Sequence, residues 1–571
     1  MTSDTPPGTA SIVLAPGDDG SWQAAYLDSE DAELGQESIA DAALTRWVRA
    51  QEESSPRWIV RTLHDVYPLL LDDGVRLRRA WDLLLCHAIL RDTAALPSPL
   101  SGSSRWIREE PTAQPHAPAL FSFVDDSTDS GPDLAEMLAE RRRQQEALRA
   151  APDSRLALLC AAESTGSLIA EEMTAAGLPW DRAAHEQILV EMLGERTMGD
   201  TRPRRMAALA AQIRIDLDDQ TLNPDSPTRL LRALHRAGIL VESTSRWELS
   251  EHEHPAIAPL IAYKKMARLL TANGWTWLTE WVRDGRFRPI YLTGGVVTGR
   301  WASAGGGALQ IPRVLRPAVR ADPGWTLIVA DVAQLEPRVL AAMSRDTAMA
   351  AAGQGSDLYE GIVRSGVVHT REEAKYAVLG AMYGATTGDS GRLAPRLRTV
   401  FPRAMAHVDD AARTGERGGV VSTLLGRSTP RPDTEWRQSQ SIASDPNAGG
   451  AEERRANSRA RDRGRFTRNF VVQGTAAEWA LLWLAEIRHR LAALPIADVP
   501  AEASGPYFRD HAHLAFFLHD EIIVHAPKTQ AEDAAQAVRD AADAATRRLF
   551  PGFEIDIPLD LRIAESAAKG P

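Results

Sequence analysis

The chain has 571 residues, of which 44% are hydrophobic and 25% charged, and it carries a formal net charge of −12. Its length exceeds what one hydrophobic core supports, so we expect an ordinary globular protein of about two to four domains. The acidic balance does not suggest a nucleic-acid partner, and any such binding must come from local basic surfaces.

The sequence shows no signal for a membrane or for secretion. It has no apolar run long enough to span a bilayer, and its first residues lack the basic and apolar regions of a signal peptide. Its two cysteines, Cys86 and Cys160, suit a reducing cytoplasm and exclude a cysteine-rich zinc site. We therefore expect a cytoplasmic protein without a membrane partner.

The N-terminal region has the pattern of a small α/β domain. Short strands are predicted at Ser11–Leu14 and Trp22–Leu27, and residues 39–92 then alternate helix-like and strand-like segments. Pro, Ser and Gly are frequent over 94–134, which indicates a linker. In the division of the chain into domains, we assign residues 111–155 to the linker.

Helices dominate the next part of the chain. Over 135–285 apolar residues recur every three or four positions, and glycines follow several of these segments as C-caps. From 290 to the end the pattern mixes strands and helices. A Gly-rich stretch at 298–312, TGRWASAGGGALQIP, carries Arg300.

A single acidic residue stands out in TLIVADVAQLEPRVLAAMS, residues 326–344. Asp331 directly follows the predicted strand Thr326–Ala330 and precedes a helix that starts near Leu335-Glu336-Pro337. A carboxylate at the end of a buried strand is a common position for a metal ligand. The alternative, which this stretch by itself favours, is an Asp that caps the helix.

The segment REEAKYAVLGAMYG, residues 371–384, repeats functional side chains every four positions. They are Arg371, Lys375, Leu379 and Tyr383. In a helix all four lie along one stripe about 18 Å long. Two cations followed by an apolar group and a phenol predict a ligand with phosphates at one end and a flat base and sugar at the other. The alternative is a surface helix with Glu–Lys pairs.

Residues 430–468 are polar and rich in arginine. The arginines between 454 and 468 are Arg454, Arg455, Arg459, Arg461, Arg463, Arg465 and Arg468. For 430–455 a solvated, partly disordered loop stays open as an interpretation.

The next segment, RFTRNFVVQGTAAEWALLWL at 465–484, leads into an apolar helix. It places Arg465, Asn469 and Gln473 four positions apart. Asn and Gln facing a groove can bind acceptors on a duplex without depending strongly on sequence. Gly474 would let a backbone approach closely.

The segment FFLHDEIIVHAP, residues 516–527, predicts a β-hairpin, because short apolar runs flank a polar triplet. Its tip carries His519-Asp520-Glu521 in place of the usual Asn-Gly or Asp-Gly. The adjacent carboxylates repel each other unless a positive charge lies nearby, and a divalent metal is the obvious candidate. An exposed polar turn is the alternative, since the triplet alone is a weak signal.

Five of these segments resemble the polymerase half of bacterial DNA polymerase I, in DNA polymerase family A. DVAQLEPR is similar to the family's first catalytic motif, RxxxKxxxLGxxYG to the nucleotide-binding helix of the fingers, and HDE to the third motif. TGRW and RxxxNxxxQGTAAE are similar to segments that contact primer and template. They occur in the family's order, and the resemblance covers roughly residues 155–565.

The resemblance implies a Klenow-like, α/β multidomain protein. A right-hand polymerase of palm, fingers and thumb would follow a small α/β exonuclease-like domain. The implied domains are 1–110, a vestigial 3′–5′ exonuclease-like domain; 111–155, a linker; 156–275, the start of the palm and the thumb; 276–348, the palm with the first catalytic motif; 349–417, the fingers; and 418–571, the palm with the HDE motif.

The resemblance also implies site residues and partners. The catalytic residues would be Asp331, Asp520, Glu521 and Lys375, of which Asp331 and Asp520 would bind two Mg²⁺ ions that Mn²⁺ could replace. The nucleotide-binding residues would be Arg371, Lys375, Leu379, Tyr383, Glu336, Gln334 and His519. The DNA-binding residues would be Arg300, Thr298, Gln310, Arg465, Asn469 and Gln473. Primer–template DNA and dNTPs would be the partners of a monomer that acts in DNA replication or repair.

Three positions depart from the family's pattern. Leu379 stands where the family usually has Phe or Tyr, so a stacking surface for the incoming nucleotide is lost. Val332-Ala333 replaces the commoner Tyr-Ser beside Glu336, and Glu478 replaces an Asp.

Over 1–110 the chain resembles a proofreading domain in layout only. Such exonucleases need four carboxylates for two metals, yet the first strand reads SIVLAPGDDG and Val66 falls where a catalytic Asp is expected. Four acids could form an unorthodox site: Asp28, Glu30, Asp65 and Asp82. We interpret the region as a vestigial exonuclease fold kept as a scaffold, and expect no active proofreading.

Two other functions stay open. A single-subunit RNA polymerase would share the two aspartates and the fingers helix, but Glu336 argues against it. A catalytically silent nucleic-acid-binding protein is the other, and the five motif residues Asp331, Asp520, Arg371, Lys375 and Tyr383 argue against it.

Overall fold

The computed structural model describes residues 5–17, 19–101, 104–107, 131–153, 155–196, 202–304, 307, 311–355, 357–384, 388–445 and 448–568. Its contacts divide the chain into two compact units. The first unit contains Met1–Ala176, Ile290–Ala304 and Ile328–Ile563, and the second contains Gly177–Pro289, Gly305–Leu327 and Ala564–Pro571.

A five-stranded sheet opens the first unit. Its strands are β1 (Ser11–Pro16), β2 (Ser21–Leu27), β3 (Glu33–Ala40), β4 (Arg57–Val60) and β5 (Arg79–Asp82), in the order β3-β2-β1-β4-β5. The helices between and after them are α1 (Leu44–Gln51), α2 (Leu63–Asp72) and α3 (Leu83–Asp92). β1 pairs antiparallel with β2 and parallel with β4. The two predicted strands are confirmed, whereas β3 was missed because most of its side chains are polar and accessible.

Two helices lead out of this sheet region. They are α4 (Leu134–Ala150) and α5 (Arg155–Ala176). A capping box starts α4, because Asp133 and Glu136 each accept a hydrogen bond from the other's backbone N–H. The range 111–155 is therefore not a linker throughout, since its last part is helical. Apolar and polar faces of α5 are both largely buried, and it packs on α2 and on a long helix near the C-terminus.

The second unit is mostly helical, as predicted for this range. Its elements are β6 (Leu178–Pro179), α6 (Arg182–Leu193), α7 (Arg204–Asp216), α8 (Pro227–Arg236), α9 (Arg246–Leu249), α10 (Ile257–Asn273), α11 (Trp275–Trp281), β7 (Val282–Arg283) and β8 (Arg286–Phe287). Leucines spaced four apart contribute to its core, namely Leu189 with Leu193 and Leu230 with Leu234.

A four-stranded sheet forms the centre of the C-terminal part. After the short hairpin of β9 (Ile290–Leu292) and β10 (Ala302–Ala304), its strands are β11 (Trp325–Val332), β12 (His513–Leu518), β13 (Glu521–Pro527) and β14 (Leu559–Ala564). Their order is β12-β13-β11-β14, so β11 lies between the hairpin β12–β13 and the last strand. β13 is buried along its whole length, because both faces of the sheet are covered.

Helices surround this sheet. Those after β11 are α12 (Leu335–Ser344), α13 (Thr347–Gly353), α14 (Leu358–Arg364), α15 (Arg371–Tyr383), α16 (Gly388–Val400) and α17 (Pro402–Glu416). They are followed by α18 (Thr434–Ala443), α19 (Gly450–Leu491), α20 (Gly505–Phe508) and α21 (Ala531–Leu549). Most of α12 to α17 share one apolar core, which includes Leu340, Ile362, Val378 and Val408.

The loop interpretation of 430–455 is wrong over most of its length. Residues 434–443 form α18, and residues 450–455 begin α19, a single helix of 42 residues. The second half of α19 is apolar and buried, and its first half packs on α17 through Gly464 and Thr467. The polar sequence hid this helix because only one narrow face of it is buried.

The contacts give a coarser division than the resemblance does. They separate Gly177–Pro289 from the remainder but leave the first 110 residues in one unit with Ile328–Ile563. The names palm, fingers and thumb, and the boundaries between them, stay predictions. Within the described ranges, no helix combines the length and the apolarity needed to cross a bilayer.

Candidate active site

The predicted hairpin is present, and its tip lies beside β11. β12 and β13 pair antiparallel with Leu518 opposite Glu521, so Glu521 is the first residue of a strand and only His519 and Asp520 form the turn. His519 has a φ of 55°, in the left-handed region that a two-residue turn requires. The backbone N–H of Val332 donates to the carbonyl of Asp520 at 2.9 Å, which joins the tip to β11.

Asp331 and Asp520 face each other at this junction. Asp331 lies within β11, one residue before its end, whereas we had placed it just after the strand. It does not cap α12, whose N-cap position is Gln334, so the capping alternative is wrong. Burial, and after it the negative charge of Asp331, raise the pKa of Asp520 to about 6. The two carboxylates therefore lie near each other in a partly buried site.

Such a pair suits a divalent cation. Bringing two like charges together is costly in a partly buried site, and a cation removes that cost. Mg²⁺ commonly binds through one or two carboxylates and completes its shell with water and phosphate oxygens. Among the described residues, no group of three or more His, Cys, Asp or Glu side chains is arranged to hold a metal.

The helix α15 brings its four predicted residues onto one face. The Thr370 hydroxyl caps its start by accepting from the N–H of Glu373 at 3.1 Å, and Gly384 ends it with a φ of 74°. Arg371, Lys375 and Tyr383 are exposed, and Leu379 is half-buried. The predicted stripe is thus confirmed as an accessible face of a helix.

A cavity of about 240 Å³ lies between this helix and the hairpin tip. Seven of the predicted residues line it, namely Arg300, Gln334, Glu336, Leu379, Tyr383, His519 and Asp520. Apolar side chains such as Leu481, Trp301 and Phe517 complete the wall. The cavity is therefore lined by both carboxylate and apolar side chains, which suits a ligand that carries both charge and a flat ring.

Glu336 lines this cavity and is held from two sides. Arg300 forms an ion pair with it, and the hydroxyl of Tyr383 donates to its carboxylate at 2.6 Å. Burial and the bond to Glu336 raise the pKa of Tyr383 above its usual value, and Gln473 also bonds to the phenol. Two segments that are distant in sequence from Glu336 thus converge on its carboxylate.

Sequence reasoning missed the partner of Arg371. Its guanidinium donates to Asp357 from Nε at 3.1 Å and from Nη2 at 2.7 Å, and the amide of Gln334 donates to the same oxygen at 2.9 Å. The ring of Tyr359 lies 5.6 Å from this guanidinium. The available signal was Asp357-Leu358-Tyr359 before a helical run, but that pattern predicts only an N-cap, which Asp357 also provides.

The predicted DNA-binding residues form a second group around α19. Thr298 is buried, and a Cβ at Gly474 would lie 3.2 Å from its carbonyl oxygen, which confirms the close approach expected of that glycine. The Oδ1 of Asn469 is buried and finds no hydrogen-bond partner among the described residues. Arg465 is exposed and pairs with Asp462. Gln310 lies outside the described residues.

The remaining predicted residues have simpler settings. Lys375 is exposed, and Glu521 is buried next to Asp520. Burial and the charge of Arg300 lower the pKa of His519. Glu478 is buried away from the cavity, where it accepts from the hydroxyl of Thr423 and, at 3.0 Å, from the N–H of Leu425. Glu478 therefore serves the packing of the helix.

The acids of the N-terminal sheet hold loops and helix ends. Asp28 accepts from the N–H groups of Glu30 and Ala32 at 2.8 Å, and Asp65 pairs with Arg61 at 3.3 Å. Asp82 is buried and accepts from the N–H groups of Leu63 and Leu85 at 3.0 Å. Each carboxylate thus has a local role in this structure.

Comparisons with known proteins agree with this geometry. The sequence profile of DNA polymerase family A matches residues 196–568. DNA polymerase I of Chloroflexus aurantiacus is 28% identical over 57% of this chain and 34% of its own length. Thermostable DNA polymerase I of Thermus aquaticus is 24% identical over 70% of this chain and 43% of its own length. The chain thus spans less than half the length of these two relatives.

A solved structure shares the fold over nearly the whole chain. It is the POL domain of Pol1 from M. smegmatis in complex with DNA primer-template and dNTP, with a TM-score of 0.67 and 18% identity. The match covers 99% of this chain and 97% of that chain.

Proposed function

The chain belongs to DNA polymerase family A, and from this premise we propose that it is a template-directed DNA polymerase that adds dNTPs to a primer 3′-hydroxyl. The observation that supports this best is the pair Asp331 and Asp520 beside a cavity bounded by α15. Nucleotidyl transfer needs stabilisation of the negative charge on the attacking and leaving oxygens. Divalent cations supply it, and a pair of carboxylates can hold such cations.

The aspartate pair would hold two Mg²⁺ ions, or Mn²⁺ in their place. When bound, these ions supply the Lewis acidity that activates a hydroxyl and neutralises a triphosphate. Asp331 and Asp520 would hold these ions between the primer 3′-hydroxyl and the triphosphate of the incoming nucleotide. Glu521 supports Asp520 from the adjoining strand, and His519 contacts the primer backbone.

The helix α15 would bind the incoming nucleotide. Arg371 and Lys375 bind its phosphates, and Lys375 donates a proton to the leaving pyrophosphate. Asp357 holds the Arg371 guanidinium at 2.7 Å. When a nucleotide enters, Arg371 therefore either binds the carboxylate and a phosphate together or leaves the carboxylate for the phosphate. Leu379 contacts the base or sugar, and Gln334 orients Asp357.

Glu336 would decide between deoxyribose and ribose. Arg300 and Tyr383 fix its carboxylate in the cavity wall, so a 2′-hydroxyl would meet a carboxylate that cannot move aside easily. Tyr383 would lie near the templating base, where its hydroxyl links Glu336 to Gln473.

The duplex would lie along the second group of residues. Arg300, Thr298, Gln310, Arg465, Asn469 and Gln473 are the proposed contacts to primer and template. The unsatisfied Oδ1 of Asn469 supports this, because a buried amide oxygen without a donor is unfavourable until a partner arrives.

We propose that the N-terminal sheet acts as a scaffold without proofreading. Val66 is buried and apolar, and Ala15 and Pro16 end the first strand, so neither position can supply a metal ligand. The polymerase would act as a monomer.

Primer extension tests this proposal. With primer–template DNA, dNTPs and Mg²⁺, the protein should lengthen the primer, and it should fail without a divalent metal. Preferential use of NTPs would identify a single-subunit RNA polymerase, and binding without extension would identify a silent nucleic-acid-binding protein. Asp560→Asn, at an exposed acid on β14, is a matched control that should keep full activity.

A further inference from the structure

A buried ion pair lies behind the turn that carries Arg300. The guanidinium of Arg427 donates to Oε2 of Glu163 on α5 at 2.5 Å, although the two residues are 264 positions apart. Their side chains are 13% and 1% exposed, respectively. Burying an ion pair is often no more stabilising than burying apolar side chains of similar size. This pair is therefore better explained by what it holds in place than by the energy of its own interaction.

The backbone of Arg427 is fixed by a tight turn that packs on α19. The N–H of Thr423 donates to the carbonyl of Arg427 at 2.8 Å, which closes the turn. Glu478 on α19 accepts from the hydroxyl of Thr423 and, at 3.0 Å, from the N–H of Leu425. A Cβ at Gly474 would lie 2.4 Å from Cγ2 of Thr423, so the helix and the turn are in close contact. Arg427 is thus held at its backbone by α19 and at its guanidinium by α5.

The guanidinium of Arg427 packs directly against Gly299. This glycine has a φ of 84°, and a Cβ there would lie 2.5 Å from Nε and 2.9 Å from Cζ of Arg427. The N–H of Gly299 donates to the carbonyl of Val296 at 2.7 Å, and the N–H of Val296 donates to the carbonyl of Arg300 at 3.0 Å. Because the turn is closed on itself, a shift of the guanidinium would move Gly299 and Arg300 together.

The connection between β9 and β10 contacts the ion pair at both of its ends. Gly294 has a φ of 56°, and a Cβ there would lie 2.7 Å from Oε1 of Glu163. Glu163 thus contacts the start of the connection, and its partner contacts the end at Gly299. Arg300 follows directly and forms an ion pair with Glu336 in the cavity. One short connection therefore links the buried pair to Glu336.

We propose that the ion pair of Glu163 and Arg427 positions Arg300 and, through it, Glu336, so that the pair contributes to the selection of deoxyribose over ribose. This rests on the proposed polymerase function, because it takes Glu336 as the group that meets the sugar. Neither Glu163 nor Arg427 lines the cavity, so both are positioning residues that act without touching the nucleotide. Their removal should therefore have a smaller effect than removal of Glu336 itself.

The test is the ratio of kcat/KM values for a matched dNTP and NTP in primer extension with Mg²⁺. The variant Glu163→Gln/Arg427→Met removes both charges, so that neither stays buried alone. The ratio should fall by about three- to tenfold. Partial unfolding would not change it, because the loss of active protein lowers both values equally. The control Glu172→Gln, which also breaks a buried ion pair on α5, should leave the ratio unchanged.

A double-mutant cycle shows whether the pair acts through Glu336. In a Glu336→Ala background, Glu163→Gln/Arg427→Met should change the ratio by less than about twofold, because the carboxylate to be positioned is gone. The same three- to tenfold fall in that background would mean that the pair acts by another route and would overturn the proposal. A constant ratio in Glu336→Ala alone would overturn it as well.

A second variant tests the same contact if the pair variant does not fold. Gly299→Ala keeps both charges but forces a Cβ against the guanidinium, so the ratio should fall here too. A wild-type protein that extends primers, with an unchanged ratio in the pair variant or in Gly299→Ala, refutes the positioning role alone. A wild-type protein that extends primers with neither dNTPs nor NTPs refutes the proposed function, and this inference with it.

Discussion

The N-terminal sheet and the C-terminal sheet both carry acidic residues at strand ends, but they arrange them differently. In the C-terminal sheet, Asp331 and Asp520 lie on neighbouring segments, and burial together with the charge of Asp331 raises the pKa of Asp520. In the N-terminal sheet, Asp82 and Asp28 each satisfy backbone N–H groups of their own surroundings. A carboxylate at the end of a strand thus indicates chemistry more strongly when a second carboxylate faces it.

The largest effect should come from breaking the C-terminal pair. Asp520→Asn keeps the side-chain shape but removes a charge that a cation needs, so kcat should fall by at least about 1000-fold. Primer–template affinity should stay within about threefold, since the pair serves chemistry more than docking. Steady-state extension and anisotropy measure the two quantities. Asp560→Asn at unchanged rate is the control, and a near-normal Asp520→Asn rate would remove the two-carboxylate assignment.

A scaffold role for the N-terminal region predicts a large stability effect at its junction with α19. Glu172 on α5 accepts from Tyr67 at 2.7 Å, from Arg76 at 3.0 Å and from Arg488 at 3.0 Å. Glu172→Gln leaves two guanidinium groups buried without their counter-charge, which should cost about 3–5 kcal/mol in the free energy of unfolding. Urea denaturation measures this cost.

The neighbouring residue provides the control for that junction. Glu171→Gln on the same helix removes a pair with the exposed His64 and should change stability by less than about 1 kcal/mol. Equal effects of the two variants would contradict the scaffold role.

The pH dependence of the free energy of unfolding adds a second readout. Although burial opposes ionisation, Arg488 and Arg76 lower the pKa of Glu172 from 4.5 to about 2, so its stabilisation is complete above pH 4.5 and is lost as the pH falls towards 2.

The next effect concerns sugar selection at the C-terminal site. Glu336→Ala opens the position where a ribose 2′-hydroxyl would lie, so the preference for dNTPs over NTPs should fall by on the order of 10–100-fold. The ratio of kcat/KM values for a matched dNTP and NTP measures it. Glu360→Ala, at an exposed acid on α14, should leave the ratio unchanged. A constant ratio in Glu336→Ala would show that another group selects the sugar.

The smallest effect should come from the departure at Leu379. This side chain lines the cavity but offers no flat surface to a base. Leu379→Phe should lower the KM for dNTPs by about fivefold through stacking, with kcat little changed. Leu379→Met, similar in size but not aromatic, should leave KM near the wild-type value. If both variants behave alike, Leu379 does not touch the nucleotide.

Several parts of the site could be predicted from the sequence because local patterns encode them. The apolar runs around His519-Asp520 predicted the hairpin, and the four-residue repeat from Arg371 to Tyr383 predicted the accessible helix face. These features depend only on residues close in the chain. The range 434–455 was harder, because a polar helix anchored on one narrow face has almost no periodic apolar signal.

Contacts between distant residues could not be predicted in the same way. The bond from Tyr383 to Glu336 spans 47 positions, and that from Arg371 to Asp357 joins two separate helices. Each depends on how helices pack, which one sequence does not specify. The same holds for Glu172, whose three partners come from two distant parts of the chain.

One gel tests the contrast between the two sheets most directly. A 5′-labelled primer with a mismatched 3′ nucleotide is given to Asp331→Ala protein with Mg²⁺ or Mn²⁺, beside wild type extending a matched primer with dNTPs. We predict that wild type lengthens its primer, while Asp331→Ala neither lengthens nor shortens the mismatched one. Trimming by Asp331→Ala that Asp28→Ala or Asp65→Ala abolishes would contradict the account, because the N-terminal sheet would then be an active exonuclease.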